Sequence, residues 1–247
     1  MAKRAFLALS GSEDAFAGVS ELDAEGSRTL IERAYAQLRD DIVEGRLAPG
    51  EKLRVEHLKD RYAVSAGTLR EAITRLVSDA LVVAQGQRGF RVAALALEDL
   101  EDLTRLRLLI EIDAFRHSMR HGGAAWRASL QQAYDELSAF EQPVRAAQSR
   151  EWEALNARFH EVLVSAQASS WTLRVLRLLA RHSERYRRHA IGIVNSGRDV
   201  HAEHREIFEL AMAGLEARAA LALEAHIRAT PDLLQIARQK ESKIFPA

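Results

Sequence analysis

The chain contains no cysteine. That absence excludes disulfide frameworks, zinc ribbons, iron–sulfur clusters and thiol nucleophiles. Proline is scarce as well, with four in 247 residues and none between Gly50 and Glu141, and glycine numbers only 13. Collagen-like and mucin-like chains need far more of both. Aromatic residues make up 6%. With β-branched residues also sparse, the dominant period is expected to be helical. Neither sign of charge prevails, since 35 Lys and Arg balance 35 Asp and Glu. A globally basic, histone-like binder is therefore excluded, and any nucleic-acid surface has to be a local patch. No apolar run approaches the roughly 18 residues of a membrane-spanning helix. The opening run Ala5 to Leu9 is also shorter than a secretory core of about 7 to 15 residues. These absences predict a soluble, cytoplasmic protein without a membrane partner and with a flexible N-terminal tail over 1–26.

What is present is an ordinary globular composition, 47% hydrophobic and 28% charged, in a chain long enough for one large domain or two small ones. Apolar residues Leu30, Ala34, Leu38 and Ile42 mark an amphipathic helix that stops at Gly45, before the turn Ala48-Pro49-Gly50. Val55, Leu58 and Tyr62 mark a short second helix. Ser65 is a fitting N-cap for a third, whose apolar stripe runs Leu69, Ala72, Ile73, Leu76, Val77, Ala80 and leaves Gly67, Arg70, Glu71, Thr74 and Arg75 facing out. The period then changes. Leu81 to Ala84 and Gly89 to Val92 are short β-prone runs around Gln85-Gly86-Gln87-Arg88, a hairpin with a basic tip. Helical periodicity resumes afterwards, predicting helices near 98–121, 126–141, 146–167, 171–194, 199–213, 215–229 and 231–240. The fold class is thus mainly α, with an N-terminal winged helix-turn-helix domain over 27–93 and an all-α helical bundle over 98–240.

Three helices followed by a hairpin form the winged helix-turn-helix arrangement, in which the third helix can enter the major groove of double-stranded DNA. Local charge agrees. Between Arg46 and Arg91 nine Lys and Arg stand against five acids, in a chain that is neutral overall. Arg88 beside two glycines gives a tip whose backbone can approach phosphate closely. The competing readings are a basic but merely solvated face and, for Arg70, a salt bridge at helical spacing.

The runs Leu47-Ala48-Pro49-Gly50-Glu51-Lys52-Leu53, Val64-Ser65-Ala66-Gly67-Thr68-Leu69-Arg70-Glu71-Ala72-Ile73-Thr74-Arg75-Leu76 and Gln87-Arg88-Gly89-Phe90-Arg91-Val92 resemble the winged-helix domain of GntR-family transcription regulators. The C-terminal part resembles the FCD effector domain of the FadR branch, and the stretch from Leu69 to Val92 is similar to CsiR-type repressors. The resemblance implies DNA contacts by Ser65, Thr68, Arg70 and Arg75 on the third helix and by Arg88 and Gly89 on the wing. The family pattern has Arg where this chain has Ala66, which implies an altered operator core. It further implies a homodimer that releases operator DNA when a small carboxylic acid, glutarate-like or related, binds the second domain.

Histidines in the second half have the spacing of a bundle-core metal site. Asn156 and His160 lie one turn apart beside the stripe of Trp152, Phe159 and Leu163; His204 falls with Ile207 and Phe208, and His226 with Leu223 and Ile227. Taken by spacing alone they read equally as satisfied core histidines. The family resemblance aligns Asn156, His160, His204 and His226 with the ligands of a divalent metal, with Asn156 in place of the usual Asp. Three imidazoles suit Zn or Ni better than Mg. The same resemblance makes Arg107, in Arg107-x-x-x-Glu111, the partner of the effector carboxylate, the alternative being a structural pair with Glu111. The run Arg181 to His189 reads mostly as a solvated face, with Arg185 and Tyr186 as candidates for a second anion contact. An alternative function is a helical-bundle metalloenzyme using His160, His204 and His226. It leaves the basic winged helix unexplained and offers no evident general base, so an enzyme is not expected.

Overall fold

The computed structural model describes residues 29–141, 150–167, 169–193 and 198–240. The expected tail over 1–26, the start of the helix expected at 146 and the end of the one expected at 194 lie outside them.

The first unit is built as the periodicity implies. Helix α1 (Leu30–Val43) opens on a capping box in which Thr29 accepts from the Glu32 N–H and the Glu32 carboxylate accepts from the Thr29 N–H. Helix α2 (Val55–Arg61) and helix α3 (Ala66–Ser78) follow, and Ser65 caps α3 by accepting from the Thr68 N–H at 3.1 Å. Ala34, Leu38, Leu69, Ala72, Ile73 and Leu76 are fully buried between these helices, each large side chain contributing about 1.5 to 3 kcal/mol. The wing is a three-stranded antiparallel sheet, β1 (Lys52–Leu53), β2 (Val82–Ala84) and β3 (Phe90–Val92), in the order β1-β3-β2. Strand β1 is an addition to the expected hairpin. Two residues are too few to show a period, and it is fixed by pairing with β3, Lys52 opposite Arg91 and Leu53 opposite Phe90.

The second unit is a bundle of α4 (Leu97–His121), α5 (Gly123–Glu141), α6 (Arg150–Leu163), α7 (Ser170–Ile193), α8 (Val200–Met212) and α9 (Glu216–Lys240). Helix α4 packs on α7 and α9, and α5 on α6 and α8, around Phe115, Trp126, Leu130, Phe159, Leu163, Ile207 and Leu223. The two helices expected at 215–229 and 231–240 are one. Pro231 sits inside α9, where it removes one backbone hydrogen bond. Burial of Ile227 before it and of Leu234 and Ala237 after it keeps the helix continuous through that loss.

Helix α7 touches both units. The His182 ring Nε2 donates to the carbonyl of Asp79, the C-cap residue of α3, at 2.9 Å. The Arg185 guanidinium donates to the Ala93 carbonyl in the connection after the wing, and the Tyr186 hydroxyl donates to Asp99 at 2.6 Å.

Candidate functional site

On the exposed face of α3, Ser65 and Thr68 are tied to each other through their hydroxyls at 2.9 Å as well as through the cap. Arg70 is exposed and forms no ion pair with a described residue, whereas Arg75 pairs with Glu71 at 3.2 Å. Arg88 is exposed at the end of the short 3-10 turn that joins β2 to β3. Gly89 next to it has φ +88°, a left-handed conformation that favours glycine. Arg91 braces the wing from behind, donating to the Gln85 side chain and to the Gly50 carbonyl, each at 2.9 Å. Thr68, Arg70 and Arg75 therefore lie on α3, Ser65 at its N-cap, and Arg88 and Gly89 at the wing tip.

In the bundle, a cavity of about 240 Å³ opens between α4, α6 and α7, bordered by Arg107, Glu111, Asn156 and His160 at one side and by Val164, Leu173 and Leu176 at the other. Arg107 and Glu111 are both buried, and the guanidinium donates twice to one Glu111 oxygen, at 3.0 and 2.8 Å. The other Glu111 oxygen accepts from His160 Nδ1 at 3.1 Å. Burial pushes the Glu111 carboxyl up, but Arg107 and His160 outweigh it and hold its pKa down at about 2. Burial also lowers His160 to about 4, even against the pull of Glu111, and drives His226 well below its ordinary value. Both rings are neutral at pH 7.

Each imidazole has a carboxylate behind it. His160 Nδ1 meets Glu111, His204 Nδ1 meets Glu141 at 2.9 Å, and His226 Nδ1 meets Glu203 at 2.7 Å. Arg198 neutralises Glu203 with two bonds, at 2.7 and 2.6 Å. A carboxylate can only accept, so the Nδ1 atoms of His160 and His204 carry the proton, as does that of His226, whose 2.7 Å contact with Glu203 is much closer than its 3.3 Å approach to the Arg198 guanidinium, and all three Nε2 atoms present lone pairs. Those lone pairs converge. Ligand atoms of His160, His204 and His226 lie within 4.8 Å of one another, and the Nε2 atoms of His160 and His226 face each other at 3.1 Å. The Nε2 of His204, a residue with 0% exposure, is buried and has no partner among the described residues. Lone pairs pointed at one another repel, and a buried acceptor left unsatisfied costs about 1 to 3 kcal/mol. A cation placed among them removes both penalties, and a carboxylate behind each ligating His is the usual second layer of a metal site. Asn156, buried one turn before His160, borders the same cavity.

Sequence reasoning missed two groups of residues. Glu141 and Glu203 reach their imidazoles from other helices, and although Glu203 precedes His204 in sequence, its bond is to His226. The second group is on α7. Its run from Arg181 is not simply a solvated face, since Arg181, Glu184 and Arg187 border the cavity. Spacing of i, i+3 and i+6 on one helix was the available signal. Arg185 and Tyr186, expected as anion contacts, do not border the cavity. Both are buried toward the connection after the wing, where the Ala93 carbonyl accepts from the Arg185 terminal nitrogen and Ala96 and Asp99 meet the Tyr186 hydroxyl, while Arg185 Nε is buried without a partner among the described residues.

Comparison with known proteins agrees with this architecture. The pattern of bacterial regulatory proteins of the gntR family matches residues 30–92, and that of the FCD domain matches residues 102–229. The chain is 40% identical over 225 residues to the HTH-type transcriptional regulator BphR of Paraburkholderia xenovorans (strain LB400), covering 89% of this chain and 91% of that one. The chain belongs to the gntR family of bacterial regulatory proteins. A second relative, the HTH-type transcriptional repressor GlaR of Escherichia coli (strain K12), is 30% identical over 206 residues, 81% of this chain and 94% of that protein. Solved structures share the gntR–FCD fold: E. coli McbR/YncC has a TM-score of 0.67 at 17% identity, covering 87% of this chain and 99% of that one. A putative GntR regulator from Rhodococcus sp. RHA1 has a TM-score of 0.65 at 21% identity, over 83% and 97%. Membership makes the protein a transcriptional regulator whose N-terminal domain binds DNA. Family and relatives are regulators, not enzymes, and the metalloenzyme alternative is not favoured. Among the described residues, no helix is long and apolar enough to cross a membrane.

Proposed function

We propose that the protein is a cytoplasmic, metabolite-responsive repressor, homodimeric through its all-α domain, that releases its operator when a small carboxylic acid enters the α4–α6–α7 cavity. The convergence of three imidazole lone pairs beside that cavity carries the reading. Asn156, His160, His204 and His226 would hold a divalent ion, Zn or Ni, which supplies a fixed positive centre for an acid group, and Arg107 borders the same space. Recognition of operator DNA falls to Ser65, Thr68, Arg70 and Arg75 in the groove and to Arg88 and Gly89 at the phosphates. The repressor relative GlaR supports the sign of regulation, in line with the CsiR-type resemblance of the third helix and wing. A glutarate-like dicarboxylate is the first effector to try.

A shift of 5- to 150-fold in operator affinity corresponds to a coupling of about 1 to 3 kcal/mol. Operator mobility shifts with and without C4 to C6 dicarboxylates and ω-amino acids, combined with elemental analysis, test the reading. Purified wild type is expected to carry a stoichiometric divalent ion and to leave the operator as acid is added. His204→Ala is expected to lose the ion and the acid response together. Wild type that takes up no metal at any supplied concentration, or that stays on its operator with every acid, overturns it.

A further inference from the structure

The cations that border the cavity are not equivalent. Arg107 is held by Glu111, Arg177 by Glu161 and Arg187 by Glu153. Glu184, the remaining acid on the α7 wall, is taken by Arg188 at 2.9 Å. Arg181 borders the same cavity and makes no hydrogen bond or ion pair with any described residue. It is half-buried, so its guanidinium stands partly shielded from water and open to an anion that enters the cavity.

The ion pairs also say where Arg181 stands. Glu153 with Arg187 and Glu161 with Arg177 fix α6 and α7 as antiparallel neighbours. Between those two rungs Arg181 falls level with Ala157, in the turn of α6 that separates Asn156 from His160. Ala157 and Ala180, both on the cavity wall, are too small to fill the gap between the helices, which leaves space between Arg181 on one side and Asn156 and His160 on the other. The cavity of about 240 Å³ is smaller than the roughly 300–1,000 Å³ of pockets for drug-sized ligands. Its occupant is therefore short, and a second acidic group on it has to lie within a few bonds of the first.

We propose that Arg181 receives a second anionic group of the effector, so that the cavity selects short diacids over monoacids of the same length. This deepens the acid-effector reading and rests on it. One acid group is taken at the Asn156 and His160 side, the other by the Arg181 guanidinium, whose fork matches a carboxylate with two parallel hydrogen bonds.

The test is calorimetric titration of glutarate and of pentanoate into zinc-loaded wild type, R181Q and R181K. Wild type is expected to prefer glutarate by roughly ten- to a hundredfold, the range for a charged hydrogen-bonded contact. R181Q is expected to bind both acids at the pentanoate level, with zinc content, thermal midpoint without acid and operator affinity unchanged. R181K keeps the charge but not the fork and is expected to retain part of the preference. A wild type that binds the two acids equally, or an R181Q that still prefers glutarate, overturns the assignment of Arg181 and leaves the acid-effector reading standing. A wild type that binds neither these nor other C4 to C6 acids overturns that reading, and the present inference with it.

Discussion

On the recognition helix Arg70 stands in solvent without an acidic partner among the described residues, whereas in the bundle Arg107 is buried and gives Glu111 two hydrogen bonds. The two arginines differ in what has already been spent. Arg70 has its guanidinium free for a ligand that arrives from outside, at little cost to the fold while it waits. Arg107 is part of the fold, and what it offers the cavity is the tautomer and ring orientation it imposes through Glu111 on His160. Sequence assigns both a ligand-binding role from the same residue type; only their surroundings separate them.

The largest effect expected from that contrast is on stability. Arg107→Ala leaves the buried Glu111 carboxylate without its main counter-charge, and breaking a buried pair in this way costs about 3 to 5 kcal/mol. Urea unfolding should show that loss, and an unfolding midpoint equal to wild type would place Arg107 with the ligand-facing arginines instead. Arg70→Ala should leave unfolding unchanged and act on DNA alone. A bidentate base contact discriminates by about 1 to 3 kcal/mol, and the proposed homodimer would lose it twice. Fluorescence anisotropy on operator and random duplexes across a salt series checks this, with Arg88→Ala as the contrasting variant that weakens both duplexes alike and flattens the salt slope. If Arg70→Ala binds operator like wild type, α3 does not read bases through that residue. The smallest effect is at Arg75 and Glu71, whose side chains are 48% and 53% exposed. A double-mutant cycle on thermal unfolding should give a coupling of about 0.5 kcal/mol or less, which would leave Arg75 free to exchange its acid for phosphate.

How much of this was legible beforehand depends on the range of the interactions. The Ser65 cap and the stripe from Leu69 to Leu76 are local, and a period reports them. Strand β1 is two residues long and exists because β3 is beside it. Pro231 looks like a helix end because the penalty it imposes is local while the burial of Ile227 and Leu234 that outweighs it is not. In the site, the four residues aligned with metal ligands are one residue from α8, one from α9 and two from α6, each on an apolar stripe. What no stripe could show is the layer behind them: Glu141 ends α5, far from His204 in sequence, and meets it only after the helices have packed. Pairing has to be known before Arg181 can be told from Arg177 or Arg187, and pairing is tertiary.

Helix α7, with 24 residues, is a rod about 36 Å long. One of its sides borders the cavity through Ala180, Arg181 and Glu184, and the adjoining side grips the Asp79 carbonyl at the end of α3 and the Ala93 carbonyl beyond the wing. A helix has no slack between its sides. A roll of about 10° carries side-chain tips some 5 to 6 Å from its axis through roughly 1 Å on every side at once. On the acid-effector reading proposed above, occupant and operator read the position of the same solid body, and whichever set of α7 orientations a bound acid favours is the set from which DNA must choose.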